Sequence, residues 1–268
     1  MQLKHFILGI ITTLVWGVNF VSIKMSYDVF TPFWLISARF LLCFFPFIFF
    51  VPRPKTSWPQ LSKICLFFWL GQFVFTFLGV YKGVPAGLAS VLLQSSVILT
   101  AVFAWIFLKQ KISLKMGLCL GVSFIGILMI SANMASANNW IGYLLLMLGA
   151  TCVAIGNLSL KTKSDENILS LIVWCSFLTF IPASLLAFFL EGTDQIIYIL
   201  NNLNTKVCGS LIFTAYFSTI LANFVWVYLM RHYEATTVSP FTLLVPIFGI
   251  LSCYVFLGEK LSLHTAIS

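Results

Sequence analysis

The stretch Ala86 to Leu114, AGLASVLLQSSVILTAVFAWIFLKQKISL, returns 149 residues later as Ala235 to Leu263, ATTVSPFTLLVPIFGILSCYVFLGEKLSL. Aligned without a gap, eight of the 29 positions are identical: Ala86/Ala235, Ser90/Ser239, Ile98/Ile247, Phe107/Phe256, Leu108/Leu257, Lys111/Lys260, Ser113/Ser262 and Leu114/Leu263. Shared apolar residues carry little weight in a chain this rich in them. The run Phe-Leu-x-x-Lys-x-Ser-Leu carries more, because in both copies it leaves an apolar stretch and enters a charged turn. A repeat of this period in an apolar chain predicts two similar halves, residues 1–135 and 136–268.

Composition sets the solvent. Hydrophobic residues make up 60% of the chain and charged residues 8%, with a mean hydropathy of +1.04. A soluble domain carries about 25% charged residues to cover its surface, so this chain folded in water would expose a large aggregating apolar patch. The class is therefore all-α and polytopic in a lipid bilayer. The net charge of +8 comes from basic residues scattered in ones and twos between apolar runs, a topology signal and not a nucleic-acid surface. Seven cysteines, almost all inside apolar runs and with no Cys-x-x-Cys, read as small buried hydrophobes, with no metal or cofactor expected.

About 20 apolar residues cross a bilayer. Complete spans are expected near Phe6 to Ile23, Phe33 to Val51, Leu61 to Tyr81, Ala86 to Leu108, Leu114 to Ser131, Trp140 to Leu160, Ile168 to Leu190, Val207 to Tyr228 and Thr236 to Leu257. The tail Leu261 to Ser268 copies Ile112 to Cys119, the start of the fifth span. A tenth span largely missing from the sequence is the expectation, and a nine-span protein is the alternative. With the N-terminus inside, ten basic residues fall in cytoplasmic segments (Lys4, Arg53, Lys55, Lys63, Lys109, Lys111, Lys115, Lys161, Lys163 and Arg231). Four, Lys24, Lys82, Lys206 and Lys260, fall outside, so the positive-inside rule favours a cytoplasmic N-terminus. Five spans per half is an odd number. The second half therefore enters the membrane inverted.

Polar residues inside hydrocarbon are costly and mark candidate sites. Arg39 lies about 10 Å into the second span. Two roles stay open for it: snorkelling to the outer headgroups or capping a neighbouring helix, or holding a solute carboxylate or a structural acid. Asn19 follows Trp16 and Gly17 in the first span, and Asn157 follows Gly156 in the sixth. Each either bonds between helices or lines a cavity. Ser90 and Gln94 share one face of the fourth span, where Gln94-Ser95-Ser96 reads as a wet wall. The aligned segment carries Ser239, Pro240 and Pro246, where proline is expected to kink the helix and free carbonyls. Solute is expected between these two walls. A few aromatic residues, such as Trp16 or Trp226, are candidates to line the pathway.

Enzyme chemistry finds no support. The acidic residues Asp28, Asp165, Glu166, Glu191, Asp194, Glu234 and Glu259 all avoid mid-span positions, and His5, His232 and His264 sit near span ends. An intramembrane protease or hydrolase needs a buried acid pair, a metal motif or an activated nucleophile. A proton-coupled exporter of cationic drugs needs a membrane carboxylate. The buried formal charge is positive, which favours an anionic or zwitterionic solute.

Several of these residues carry a family likeness. Trp16-Gly17-Val18-Asn19-Phe20 with Lys24, Ala38-Arg39-Phe40, Pro52-Arg53-Pro54-Lys55, Pro85-Ala86-Gly87-Leu88-Ala89-Ser90 with Gln94, and Leu243-Leu244-Val245-Pro246 before Gly258-Glu259-Lys260-Leu261 resemble the EamA branch of the drug/metabolite transporter superfamily. The resemblance covers essentially the whole chain, and within the family it is nearest to export of O-acetylserine and cysteine. It implies ten helices in two inverted five-helix repeats, a central cavity and alternating access in the bacterial inner membrane. One departure is Lys109-Gln110-Lys111, where the family often shows Gly-Glu-Arg or Gly-Glu-Lys, so an acid-dependent contact is kept only at Glu259.

The resulting expectation is a secondary transporter exporting small amino acids or related metabolites, monomeric or homodimeric. The solute-binding candidates are Trp16, Asn19, Arg39, Ser90, Gln94, Asn157, Ser239 and Pro240. Export of aromatic metabolites or a broad range of drugs is the alternative, with a lipid flippase or membrane enzyme behind it.

Overall fold

The computed structural model describes residues 1–109, 121, 139–160, 167–233 and 238–259. The fifth expected span apart from residue 121, the tail from 260 and residues 234–237 lie outside the described residues. Among those described, seven helices are long and apolar enough to cross a membrane, and an eighth, Phe241–Leu257, is shorter. Every expected span within the described part is helical over most of its length; the α-helix of the second ends at Phe44 before a 3₁₀ turn, Phe47–Phe49, and the fourth is interrupted at Leu93 and Gln94. The reason is physical: in hydrocarbon each backbone N–H and C=O must find its partner inside the segment.

In chain order the helices are α1 (Leu3–Ser26), α2 (Pro32–Phe44), α3 (Trp58–Tyr81), α4 (Ala86–Leu92), α5 (Ser95–Leu108), α6 (Trp140–Leu160), α7 (Ile168–Glu191), α8 (Asp194–Asn202), α9 (Thr205–Leu229) and α10 (Leu244–Leu257). Their starts follow local chemistry. Pro32 opens α2, where its missing N–H costs nothing, and the Asn167 and Asn204 Oδ1 atoms accept the first free N–H groups of α7 and α9. Two spans contain π-helical stretches, Cys65–Gly71 within α3 and Phe213–Leu221 within α9. Helix α8 is too short to cross. It exposes Ile197 and Leu200 beside the exposed Phe189 at the end of α7, the pattern of a helix lying in the membrane interface.

The repeat has a structural echo. Helices α5 and α10 cover Ser95–Leu108 and Leu244–Leu257, aligned residue for residue at the same offset, and each ends on a left-handed residue, Lys109 at φ 52° and Gly258 at φ 65°. Lysine tolerates that region poorly and glycine freely. The pairings are also matched: α2 packs along α7, α1 against α9 and α10, and α6 against α3 and α5.

Glycine sets the closest crossings. A Cβ at Gly17 would lie 2.5 Å from Phe248 Cβ, and one at Gly156 would lie 2.5 Å from Phe68 Cβ. Small residues of this kind let helix backbones meet where lipid supplies no hydrophobic drive between helices. The hairpin ends separate into two groups. One holds the ion pair between Lys206 and Asp28 at 2.7 Å and the bond from Asn139 Nδ2 to the Lys82 carbonyl. The other holds His5 against the Tyr233 hydroxyl and Trp174 Nε1 bonded to the Val51 carbonyl. The core between them is dense with aromatics, including Phe40, Trp69 and Phe77.

Candidate functional site

Arg39 projects from α2 into the centre of the helix bundle and is 1% exposed. Its Nε–H and Nη2–H both donate to Thr219 Oγ1, at 2.8 and 2.6 Å, and its guanidinium lies 4.2 Å from the Phe73 ring centroid. Phe77 and Phe40 stand at 5.8 and 6.0 Å. Stacking a cation on an aromatic face in a dry site is worth about 2 kcal/mol, which offsets part of the desolvation cost. Of the two sequence roles, snorkelling is excluded by the burial. Among the described residues no carboxylate pairs with the guanidinium, so a structural acid is excluded there as well.

Thr219 was not among the sequence candidates, and the π-helical stretch explains how it reaches Arg39. Widening the turn by one residue lets the Thr219 hydroxyl donate to the Thr214 carbonyl, five residues back, at 2.9 Å, and re-aims carbonyls that an α-helix would use internally. The Ser218 carbonyl accepts from Trp16 Nε1 on α1 at 3.2 Å and from Asn223 Nδ2 at 3.3 Å. The Trp16 ring lies 5.2 Å from that of Trp226. Trp16 and Arg39 are thus bound to neighbouring residues of one widened turn.

Among the described residues eight buried side-chain atoms lack a hydrogen-bond partner, and Trp69 Nε1, Thr214 Oγ1, Arg39 Nη1 and Asn19 Oδ1 are among them. Leaving such a group unpaired costs about 1–3 kcal/mol, more for a charge. Nη1 is a donor and Oδ1 an acceptor.

The remaining sequence candidates are engaged elsewhere. Asn157 Nδ2 donates to Thr100 Oγ1 at 3.2 Å, tying α6 to α5. Ser90 is 1% exposed and packs where Gly249 has no side chain; a Cβ there would lie 2.8 Å from Ser90 Cβ. Gln94 Nε2 donates to the Thr242 carbonyl at 2.5 Å. In this conformation α4 and the α10 segment are in direct contact. Ser239 and Pro240 open a 3₁₀ turn, Ser239–Leu243, that runs directly into α10, and Pro246, the third residue of α10, lacks the N–H that an α-helix would give to the Thr242 carbonyl. The Thr242 carbonyl accepts a backbone N–H at the end of that turn and takes a second bond from Gln94 Nε2 across the repeat. The side chains of Ser239 and Pro240 lie outside what is described. A groove of about 390 Å³ between α5 and α6, lined by Phe103, Phe107, Ile155, Leu158 and Ser159, contains none of these candidates.

Burial pushes the Tyr27 phenol well above its usual range, so it stays protonated and donates to the Phe77 carbonyl at 2.6 Å. That bond ties the segment after α1 to the helix carrying Phe73 and Phe77.

The model of the EamA-like transporter family matches residues 3–132 and again 140–268. A probable amino-acid metabolite efflux pump of Salmonella typhimurium is 34% identical over 268 residues, covering 98% of this chain and 90% of that protein. A protein of the same description from Escherichia coli K12 is 30% identical over the same shares. An uncharacterized transporter of Archaeoglobus fulgidus is 30% identical over 98% of this chain and 94% of its own length. A solved crystal structure shares the fold at a TM-score of 0.71 and 13% identity, covering 100% of this chain and 92% of that one. With family matches over both halves and relatives at this identity along nearly its full length, the chain belongs to the EamA-like transporter family, and it is a multi-pass membrane transporter, not an enzyme.

Proposed function

We propose that this protein exports small amino acids or related metabolites of the cysteine and O-acetylserine kind by secondary-active alternating access. The observation that carries the reading is Arg39: a buried cation held on two sides by Thr219 and Phe73, with Nη1 left free and no acid beside it among the described residues. Such a group favours a carboxylate. Asn19 Oδ1 accepts from the ammonium of the same zwitterion, and Trp16 supplies an apolar wall. The Salmonella and Escherichia relatives, probable amino-acid metabolite efflux pumps, support the substrate class.

In this proposal residues 1–135 and 136–268 are inverted halves that rock about the α2–α7 pair. Ser90, Gln94, Asn157, Ser239 and Pro240 meet solute only as the helices part. The protein sits in the bacterial inner membrane with its N-terminus cytoplasmic, as the basic loops favour.

Efflux of cysteine and O-acetylserine from proteoliposomes containing the purified full chain tests the reading. Saturable efflux of either, lost in Arg39→Gln at equal folded amount, is the expected result. No flux of either, or full flux in Arg39→Gln, overturns it.

A further inference from the structure

The two copies of the repeat touch along one seam, and polar groups hold both of its ends. At the top, the Glu259 carboxylate beyond α10 accepts from Ala86 N on Oε1 at 3.0 Å and from Gly87 N on Oε2 at 3.1 Å, the free N–H groups of the opposite helix start. At the foot, Gln94 Nε2 donates to the Thr242 carbonyl. Between them the contact is close and dry: a Cβ on Gly87 would lie 3.4 Å from Ile250 Cα, and Ser90 abuts Gly249. Past Gln94 the first copy turns away, and α5 packs chiefly on α6.

We propose that Glu259 and Gln94 are the gate residues that close the outer side of the transport pathway, clasping α4 to α10 in the state seen here and releasing when solute leaves. Calling that side the outer one rests on the orientation proposed above. The clasp is suited to opening. Its bonds at the helix end can be exchanged for water as the seam parts, whereas apolar side chains pulled apart gain no substitute.

A second trans cap separates a gate from an anchor. Glu191 at the end of α7 accepts from Phe33 N and Trp34 N of α2, each at 3.0 Å, and from the Thr31 hydroxyl at 2.6 Å. Its chemistry matches that of Glu259, yet α2 and α7 pack far more extensively than α4 and α10 do, so this cap anchors the larger contact. The sequence adds an asymmetry: the position aligned with Glu259 is the neutral Gln110. The carboxylate of the clasp is therefore not repeated at the aligned position.

The test is a distance measurement on the full chain in lipid nanodiscs without solute, with nitroxides on Lys82→Cys and Val255→Cys and the seven native cysteines replaced by alanine. Both label sites are exposed, on opposite sides of the seam. Glu259→Ala should raise the longer-distance population at least tenfold over the parent, Glu259→Gln should give a smaller rise because one acceptor oxygen remains, and Glu191→Ala should leave the distribution unchanged. An unchanged distribution in Glu259→Ala, or the same opening in Glu191→Ala, overturns the assignment. If the cysteine-free chain does not fold, hydrogen exchange on the native-cysteine chain reads the same thing. Faster exchange at residues 88–94 and 249–253 in Glu259→Ala and not in Glu191→Ala supports the clasp, and equal exchange in the two variants removes it. Because no solute is present, a failure of the carboxylate role of Arg39 leaves this result standing.

Discussion

Arg39 gives two of its N–H groups to one hydroxyl, that of Thr219, 180 residues further along the chain. The bond joins α2 to the π-helical stretch of α9 and orients the guanidinium so that its third nitrogen, Nη1, carries no protein partner. An arginine buried for stability alone would be paired on every side. This one is held and left open.

The first consequence is a separation of stability from transport. A charge at the centre of a bilayer helix costs on the order of 2.5–3.5 kcal/mol. Arg39→Met, which keeps the volume and removes the charge, should leave the thermal midpoint in detergent unchanged or raise it, while efflux falls at least tenfold. Arg39→Lys should not restore flux, because a single ammonium cannot bond Thr219 and present a second donor edge. A Met variant that loses stability and flux in parallel would identify Arg39 as structural.

Thr219 should behave in the opposite way. Thr219→Val keeps the shape and removes the acceptor shared by two guanidinium N–H groups, at a cost of about 1–3 kcal/mol. Thr219→Ser should recover most of it. Thermal unfolding of the two variants beside the parent measures the difference, and equal midpoints would show that the hydroxyl does not hold the arginine.

The glycine crossings give a packing prediction with an internal control. A methyl on Gly17 or Gly156 meets a neighbouring Cβ at 2.5 Å, whereas at Gly209 it meets nothing within 4 Å. Overpacking of this kind costs about 1–3 kcal/mol. Gly17→Ala and Gly156→Ala should reduce the folded yield and the thermal midpoint, and Gly209→Ala should not. Similar midpoints for all three would mean that the helices have room to move apart.

Much of the frame was legible in the chain because its cause is local. Span positions follow from apolar length, and the shared end of the repeat follows from the aligned Lys109 and Gly258, where backbone geometry recurs despite different residues. What stayed hidden is long-range. The π-helical stretches at Cys65–Gly71 and Phe213–Leu221 have no composition that separates them from α-helix, so Thr219 gave no sign of reaching Arg39. Gln94 was visible as a polar residue at mid-span, but its partner is a backbone carbonyl on the opposite copy, and every residue has one of those. Glu191 looked like an ordinary span-end acid, and Glu259 like one keeping an acid-dependent contact whose partner was hidden, until the fold set a helix start against each.

The same limit applies to Asn19 and Asn157, which the sequence presents as equals in the two halves. The structure separates them: Asn157 is bonded to Thr100, while Asn19 keeps a buried oxygen without a partner. Removing a satisfied polar group from a helix contact costs its bond, roughly 0.6 kcal/mol and up to about 1.7 kcal/mol in a membrane bundle. Removing an unsatisfied one relieves a penalty. Asn157→Leu should therefore lower the thermal midpoint and leave the apparent affinity for solute near that of the parent. Asn19→Leu should hold or raise the midpoint and weaken the apparent affinity severalfold, since the lost oxygen is the one available to an ammonium. Flux measured against solute concentration, beside unfolding curves of the same preparations, decides it: if both variants lose stability alone, Asn19 belongs to the packing and the solute is held without it.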